Sequence, residues 1–292
     1  MTAAPLDVIV RFHEMSRMVE LDRCIFSLVN QVYRPLTIYV VTQRFDANAT
    51  ARVKGALAPM LRLDETVELE IVNYDVSDPP DARAALLNAG VARSRGRYLA
   101  FLDYDDVIYA EGYRKLVAEL DRSGSAIAFG GVVGKHVSVH GDIIITSKKS
   151  YEFRGNGLLH LFFDNFCPIH SYVIDKSIVD RADLVFDTSL AKLEDYDFLI
   201  RFCAKYRSSF HLKDTIIGDY YLKDDGSNTV LVPSTRGKQR VTEWRVALEE
   251  IAERKRNTLV SSSVQRDIGR ASIDPTLSVE RLLEMMEISH AR

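Results

Sequence analysis

Tyr98 to Asp106 reads YLAFLDYDD. Five mostly apolar residues, Tyr98 to Leu102, lead directly into the carboxylates Asp103, Asp105 and Asp106. A short apolar run with polar boundaries is the pattern of a strand buried on both faces. The carboxylates then stand at its C-terminal end, the edge of an open α/β sheet where ligands bind. In an extended chain Asp103 and Asp105 point the same way. Two like charges that close repel, so a cation is expected between them. Mg²⁺ or Mn²⁺ suits all-oxygen ligation, above all when it is shared with substrate phosphates. An acidic turn after a strand is the ordinary alternative. Three carboxylates set straight after a core strand favour the metal.

Upstream, strands and helices alternate. Leu6 to Val10 reads as a buried strand, and Ser16 is a candidate cap for the helix that follows. That helix carries Leu21, Cys24, Ile25, Leu28, Val29 and Val32 at spacings of three and four. Leu36 to Val41 is a second strand, Asn48 to Leu61 a weaker helix, and Val67, Leu69 and Ile71 alternate as a third strand. A polar loop with Pro79 and Pro80 leads to a helix over Asp81 to Arg95, with Gly96 as its left-handed stop. Strands alternating with helices imply a parallel sheet with right-handed crossovers. Residues 1 to about 106 thus form a nucleotide-binding half, although neither G-x-G-x-x-G nor a Walker loop is present.

Downstream the alternation breaks, which predicts a mixed sheet. A helix over Glu111 to Asp121 stops at Gly124. Strands are expected at Ala126 to Val133, at His136 to Ile145 with a turn at His140–Gly141–Asp142, and at Ile169 to Ile174. A short helix covers Gly157 to Phe163. The segment LEDYDFLIRF, Leu193 to Phe202, opens a helix with Glu194 and Asp195 in its first turn, where the helix dipole favours negative charge. Asp197 and Arg201 are spaced for an ion pair. Two strands, Phe210 to Leu212 and Thr215 to Leu222, precede a loop DDGSNT. The tail is helical, with Trp244, Leu248 and Ile251 on one face and a last helix over Val279 to Ile288.

Composition narrows the possibilities. The chain has 292 residues, 47% hydrophobic and 27% charged, so core size is no obstacle. A net charge of -3 argues against a broad nucleic-acid footprint. No apolar run approaches the ~18 residues of a membrane span. The opening MTAAPLDVIV has no basic segment before its apolar stretch, so a signal peptide is not expected. Cys24, Cys167 and Cys203 lack paired spacing, which fits a reducing cytoplasm.

Four segments, in order, resemble the inverting family-two glycosyltransferases of the GT-A fold. They are RCIFSLVNQVYRPLTIYVV, NAGVARSRGRYLAFLDYDD, LEDYDFLIRF and YYLKDDGSNT, within residues 6 to about 230. The resemblance implies a nucleotide-diphosphate sugar donor and Mg²⁺ or Mn²⁺. It implies Asp105 as metal ligand, Asp103 on the ribose or the metal, Asp195 as general base, and Glu194 touching acceptor or sugar. The acceptor would be a glycan, a lipid-linked molecule or a small molecule, at a cytoplasmic site or the inner membrane face.

The chain also departs from the family pattern. After the first strand it has Arg11–Phe12–His13–Glu14, where His13 or Phe12 is a candidate for stacking on the base and Arg11 for reaching a phosphate. The family's uracil-reading acidic pair is Thr42–Gln43, which weakens the case for uridine. The usual A-R-N is Leu86–Leu87–Asn88, so Arg83, one turn earlier, is the candidate replacement for the arginine while Asn88 is retained. Asp224 stands where many relatives carry a histidine near the metal. His170 could face the acceptor, with a structural role as the alternative.

The fold expected is therefore α/β: a GT-A-type, Rossmann-like mixed sheet flanked by helices, over residues 1–232, with acceptor half 107–232. A helical C-terminal extension, 233–292, is a candidate surface for a homo-oligomer. The strongest rival is a HAD-type phosphatase, because Asp103–Tyr104–Asp105–Asp106–Val107 also fits D-x-D-x-[TV]. Three β-α units before that motif count against it. A non-catalytic nucleotide-sugar-binding module is the third reading.

Overall fold

The computed structural model describes residues 3–77, 81–140, 143–223 and 238–286. Four strands run parallel in the order β3–β2–β1–β4: β1 Leu6–Phe12, β2 Leu36–Gln43, β3 Val67–Tyr74 and β4 Tyr98–Asp103. They are joined through α1 Met18–Val29, α2 Ala47–Leu61 and α3 Arg83–Arg93. β1 and β4 are buried almost throughout, because helices cover both faces of the sheet. Leu6, Val8, Val10, Tyr98, Ala100 and Leu102 pack toward α1. Ile9, Leu99 and Phe101 pack toward α3 on the other face. Period-two side chains thus feed two cores from the same strands.

The sheet then turns mixed, as the broken alternation predicted. It continues through β5 Val107–Ile108, α4 Gly112–Ser123, β6 Ile127–His140, β7 Ile143–Glu152, α5 Leu158–Phe163, β8 Tyr172–Asp175, α6 Glu194–Lys205 and β9 Ser208–Lys223. Strand order beyond β4 is β8–β6–β9–β5, with β7 pairing only β6. β8 is antiparallel to both β4 and β6, whereas β6 and β9 run parallel.

Local expectations met several corrections. Ser16 does not cap α1: its hydroxyl donates to Glu14, and a 3₁₀ turn, Met15–Arg17, leads into the helix. Gly124 does stop α4 at φ 63. Gly96 is not the left-handed stop of α3, which ends at Arg93 with extended Ser94 as its cap. A side chain at Gly96 would strike the Pro5 carbonyl, and its N–H donates to buried Asp7. The two strands read over Phe210 to Leu222 are one, β9, and β6 runs unbroken to His140.

The C-terminal extension consists of α7 Lys238–Asn257, α8 Ser262–Asp267 and α9 Val279–Met285. Its buried stripe is Ala247 and Ile251; Leu248 faces solvent and Trp244 is half-buried. Ile251, Val260, Val264, Leu277 and Leu282 join the same apolar cluster as Phe198 and Leu199 of α6. Among the described residues no helix is long and apolar enough to cross a membrane. All three cysteines are buried and free. Pro79 and Pro80, the Gly141–Asp142 turn, Asp224 with the DDGSNT loop, the 232/233 boundary and Ile288 lie outside the described residues.

Candidate active site

Three adjacent parallel strands end at one edge. Arg11, His13 and Glu14 stand at the end of β1 or just past it, as do Gln43 and Arg44 for β2 and Asp103 to Asp105 for β4. With Asp81 and Arg83 at the start of α3, and Tyr220 and Lys223 at the end of β9, they line a cleft of about 580 Å³. That volume falls within the range of small-molecule sites.

Arg11 and Asp103 are register partners on β1 and β4. The guanidinium grips the carboxylate twice, Nε to Oδ1 at 2.5 Å and Nη2 to Oδ2 at 3.0 Å. Its Nη1 donates to Glu194 Oε1 at 2.6 Å. Burial opposes both charges, but the pair outweighs it: Arg11 is held well above its ordinary value and Asp103 below. Asp103 and Asp105 pair with different side-chain cations. The chain leaves β4 in a turn closed by Asp106 N–H donating to Asp103 O, 3.0 Å. Asp105 instead accepts from Lys223 Nζ at 2.7 Å. The side-chain cations beside them are Arg11 for Asp103 and Lys223 for Asp105, and both carboxylates stay partly exposed.

The third carboxylate faces inward. Asp106 accepts from Tyr221 N–H at 2.8 Å, and its Oδ2 lies 3.4 Å from His170 Nδ1. Burial pushes Asp106 well above the usual carboxylate range and His170 down to about 4, so the imidazole is neutral near pH 7. His170 is fully buried and stacks on Tyr220, which is the structural role.

α6 carries the remaining acidic pair. Its first residue follows Leu193, left-handed at φ 62 with no side-chain cap. Arg44, in the cleft, is left-handed too at φ 54. These are the non-glycine residues with positive φ among those described, and strain of that kind collects at functional sites. Asp195, half-buried, accepts from Tyr196 N–H at 2.8 Å. Burial first, then the neighbouring Glu194, raises its carboxyl to about 7, against the helix dipole. It does not line the cleft itself; Glu194 and Arg11 connect it to Asp103.

The other expected residues divide. His13 lines the cleft, its ring edge-on to Tyr104, and burial lowers its basicity. Arg83 lines it as well, paired to Asp81 at 2.6 Å. Phe12 is buried between Phe45 and Tyr104 and is not available for stacking on a ligand. Asn88 is elsewhere: its amide donates to Phe186 O and accepts from Phe186 N–H, both 2.8 Å. Thr42 is buried on Asn73, while Gln43 reaches the cleft. Sequence reading passed over Lys223, Tyr220, Tyr104 and Arg44. The repulsion between Asp103 and Asp105 was the signal for Lys223. Among the described residues no group of three or more His, Cys, Asp or Glu forms a metal cluster. Mg²⁺ often uses one or two carboxylates plus substrate phosphates, and the partly exposed Asp103 and Asp105 meet that requirement.

Comparison with known proteins agrees with this geometry. The model of "Glycosyl transferase family 2" matches residues 8–168. An uncharacterized glycosyltransferase of Haemophilus influenzae is 25% identical over 187 residues, 61% of this chain. The chain spans about half the length, 54%, of that relative. Residues 1–349 of S. aureus TarS superpose with a TM-score of 0.55 at 16% identity, covering 90% of this chain and 69% of that one. TarS has been solved with UDP and with UDP-GlcNAc. A mannosyltransferase from Pyrobaculum calidifontis, solved with GDP-Man and Mn²⁺, gives a TM-score of 0.52 at 12% identity, covering 97% of this chain and 70% of that one.

Proposed function

The chain belongs to glycosyl transferase family 2 and is a glycosyltransferase of GT-A fold, and we propose that it moves a sugar, with inversion, from a nucleotide-diphosphate donor to an acceptor hydroxyl. That membership replaces the phosphatase and non-catalytic alternatives. One observation carries the reading: a single buried guanidinium, Arg11, joins Asp103 in the cleft to Glu194 beside Asp195. Donor-side and acceptor-side carboxylates are thereby held in one frame.

In this reading the cleft takes the donor. Gln43, Arg44 and His13 are assigned to the nucleoside, and Arg83 and Lys223 to the diphosphate. Asp103 and Asp105 would hold Mg²⁺ or Mn²⁺, which when bound offsets the charge of the leaving diphosphate. Asp195 takes the acceptor's proton as the oxygen bonds to the anomeric carbon and the sugar–phosphate bond breaks. A carboxyl near 7 suits a general base at neutral pH. Arg11 acts here on carboxylates and not on phosphate. Because the chain spans only half of its curated relative, acceptor and linkage stay unassigned; the cytoplasmic setting and oligomerisation through the C-terminal helices remain proposals.

The test is titration calorimetry with UDP, GDP and dTDP, with Mn²⁺ and without. Release of diphosphate from the corresponding sugar nucleotides follows. Metal-dependent binding of one nucleotide, lost in Asp105→Asn, is expected. Unchanged affinity in that variant would remove the metal assignment, and no binding of any nucleotide would remove the donor assignment.

A further inference from the structure

We propose that the C-terminal extension is the positioning element of the catalytic turn, with Arg254 and Lys255 of α7 holding the first turn of α6 and therefore Asp195. This rests on Asp195 being the base. That turn has little to fix it from within. Leu193, its N-cap residue, is left-handed and contributes no side-chain cap. The turn is gripped from outside instead. Asp197 is fully buried and carries two arginines: Arg201 of its own helix at 2.8 Å, and Arg254 Nε at 2.5 Å. Arg254 Nη2 also reaches Asp187 at 2.6 Å, tying the loop before α6 to the same side chain. Lys255 lies 5.1 Å over the Tyr196 ring, and its Nζ donates to Phe163 O at 3.0 Å. Tyr196 OH in turn donates to Phe162 O.

Asp195 thus sits beside two residues, Tyr196 and Asp197, that the extension touches directly. The far end of α6 is held as well. Ser261, ahead of α8, donates its N–H to Ala204 O and its hydroxyl to Lys205 O, both 2.8 Å. These acceptors are the last-turn carbonyls that a helix leaves unpaired. A helix anchored at both ends by one appended segment can move only if that segment moves.

The experiment compares Arg254→Met, Arg254→Lys and Asp195→Asn. Release of nucleoside diphosphate from a UDP- or GDP-sugar gives kcat, calorimetry with UDP or GDP plus Mn²⁺ gives donor affinity, and hydrogen exchange follows residues 193–198. Displacing a catalytic group by about 1 Å costs on the order of 10²-fold. Arg254→Met should lose roughly that in kcat, keep its nucleotide affinity and exchange faster across the α6 first turn. Arg254→Lys should recover most of kcat. Wild-type kcat in Arg254→Met, or equal loss of kcat and affinity, would overturn the proposal. If Arg254→Met does not fold, Lys255→Met is read by the same criteria. An inactive Asp195→Asn beside a fully active Arg254→Met removes the positioning role alone. A fully active Asp195→Asn removes the base.

Discussion

Replacing Arg11 by Met keeps most of the side chain's length and deletes its charge. The guanidinium makes three short contacts, two to Asp103 and one to Glu194. Side-chain exposure is 15% for Arg11, 21% for Asp103 and 4% for Glu194, so solvent screens the set poorly. Removing one partner of a buried pair costs about 3–5 kcal/mol, because the other charge is left uncompensated. Asp103 keeps some water, which points to the lower end, about 3 kcal/mol. At ~2–4 °C per kcal/mol for chains of this size, Tm should fall by roughly 6–12 °C. The pH dependence has a definite sign. In the wild type Asp103 is depressed, so its contribution is present above the unfolded value near ~3.9 and is lost as pH falls through the folded one. In Arg11→Met, burial acts on Asp103 without that cation. Its folded value rises, and protonation then favours the fold. The deficit should be largest at pH 7.5 and shrink toward pH 5. Circular-dichroism melts at both pH values measure this. A Tm within ~2 °C of wild type at pH 7.5 would show that Arg11 does not neutralise a buried pair.

Asp195→Asn should lower kcat by ~10²–10⁴ with nucleotide affinity kept. In the wild type, kcat/KM should climb as pH rises through about 7, where the carboxyl ionises, and the variant should lack that limb; near-wild-type transfer would refute the base. Asn88→Ala should cost about 1–3 kcal/mol through the two lost bonds to Phe186, with donor KM unchanged. A raised KM without a lower Tm would make Asn88 a ligand contact instead.

The doubly wound half was legible because burial leaves a direct mark on sequence. Leu6–Phe12 and Tyr98–Asp103 are covered on both faces, and their apolar runs say so. What blurred was information carried by partners that residue type does not name. Ser16 looks like a cap by type, but Glu14, two residues earlier, takes its hydroxyl. Gly96 looks like a helix stop, but its need to be small comes from Pro5 and Asp7 at the start of β1. Leu248 fits the apolar face of α7 by period, yet Ala247 and Ile251 are the residues that are buried, Ile251 in the same cluster as the α6 core. Periodicity names a stripe; the neighbour decides its centre.

The site divides along the same line. Asp103, Asp105, Glu194 and Asp195 stood out in the sequence because carboxylates at a strand end and a helix start are few. Asn88 was misplaced because motif position says nothing about the Phe186 backbone 98 residues away. The repulsion argument asked for positive charge near Asp103 and Asp105, and the structure shows Arg11 and Lys223 there, side chains that sequence distance hid. Those two side chains change what donor binding must do. Asp105 begins with Lys223 at 2.7 Å, so a divalent ion arriving with a diphosphate meets an occupied carboxylate. If Lys223 shifts from Asp105 to the incoming phosphate, it exchanges one anion for another, and neither charge is left uncompensated. Arg11 has no such freedom: three contacts to two carboxylates fix it, and a phosphate would have to displace one of them. For the proposed donor, these contacts favour exchange at Lys223 over a frame that Arg11 holds.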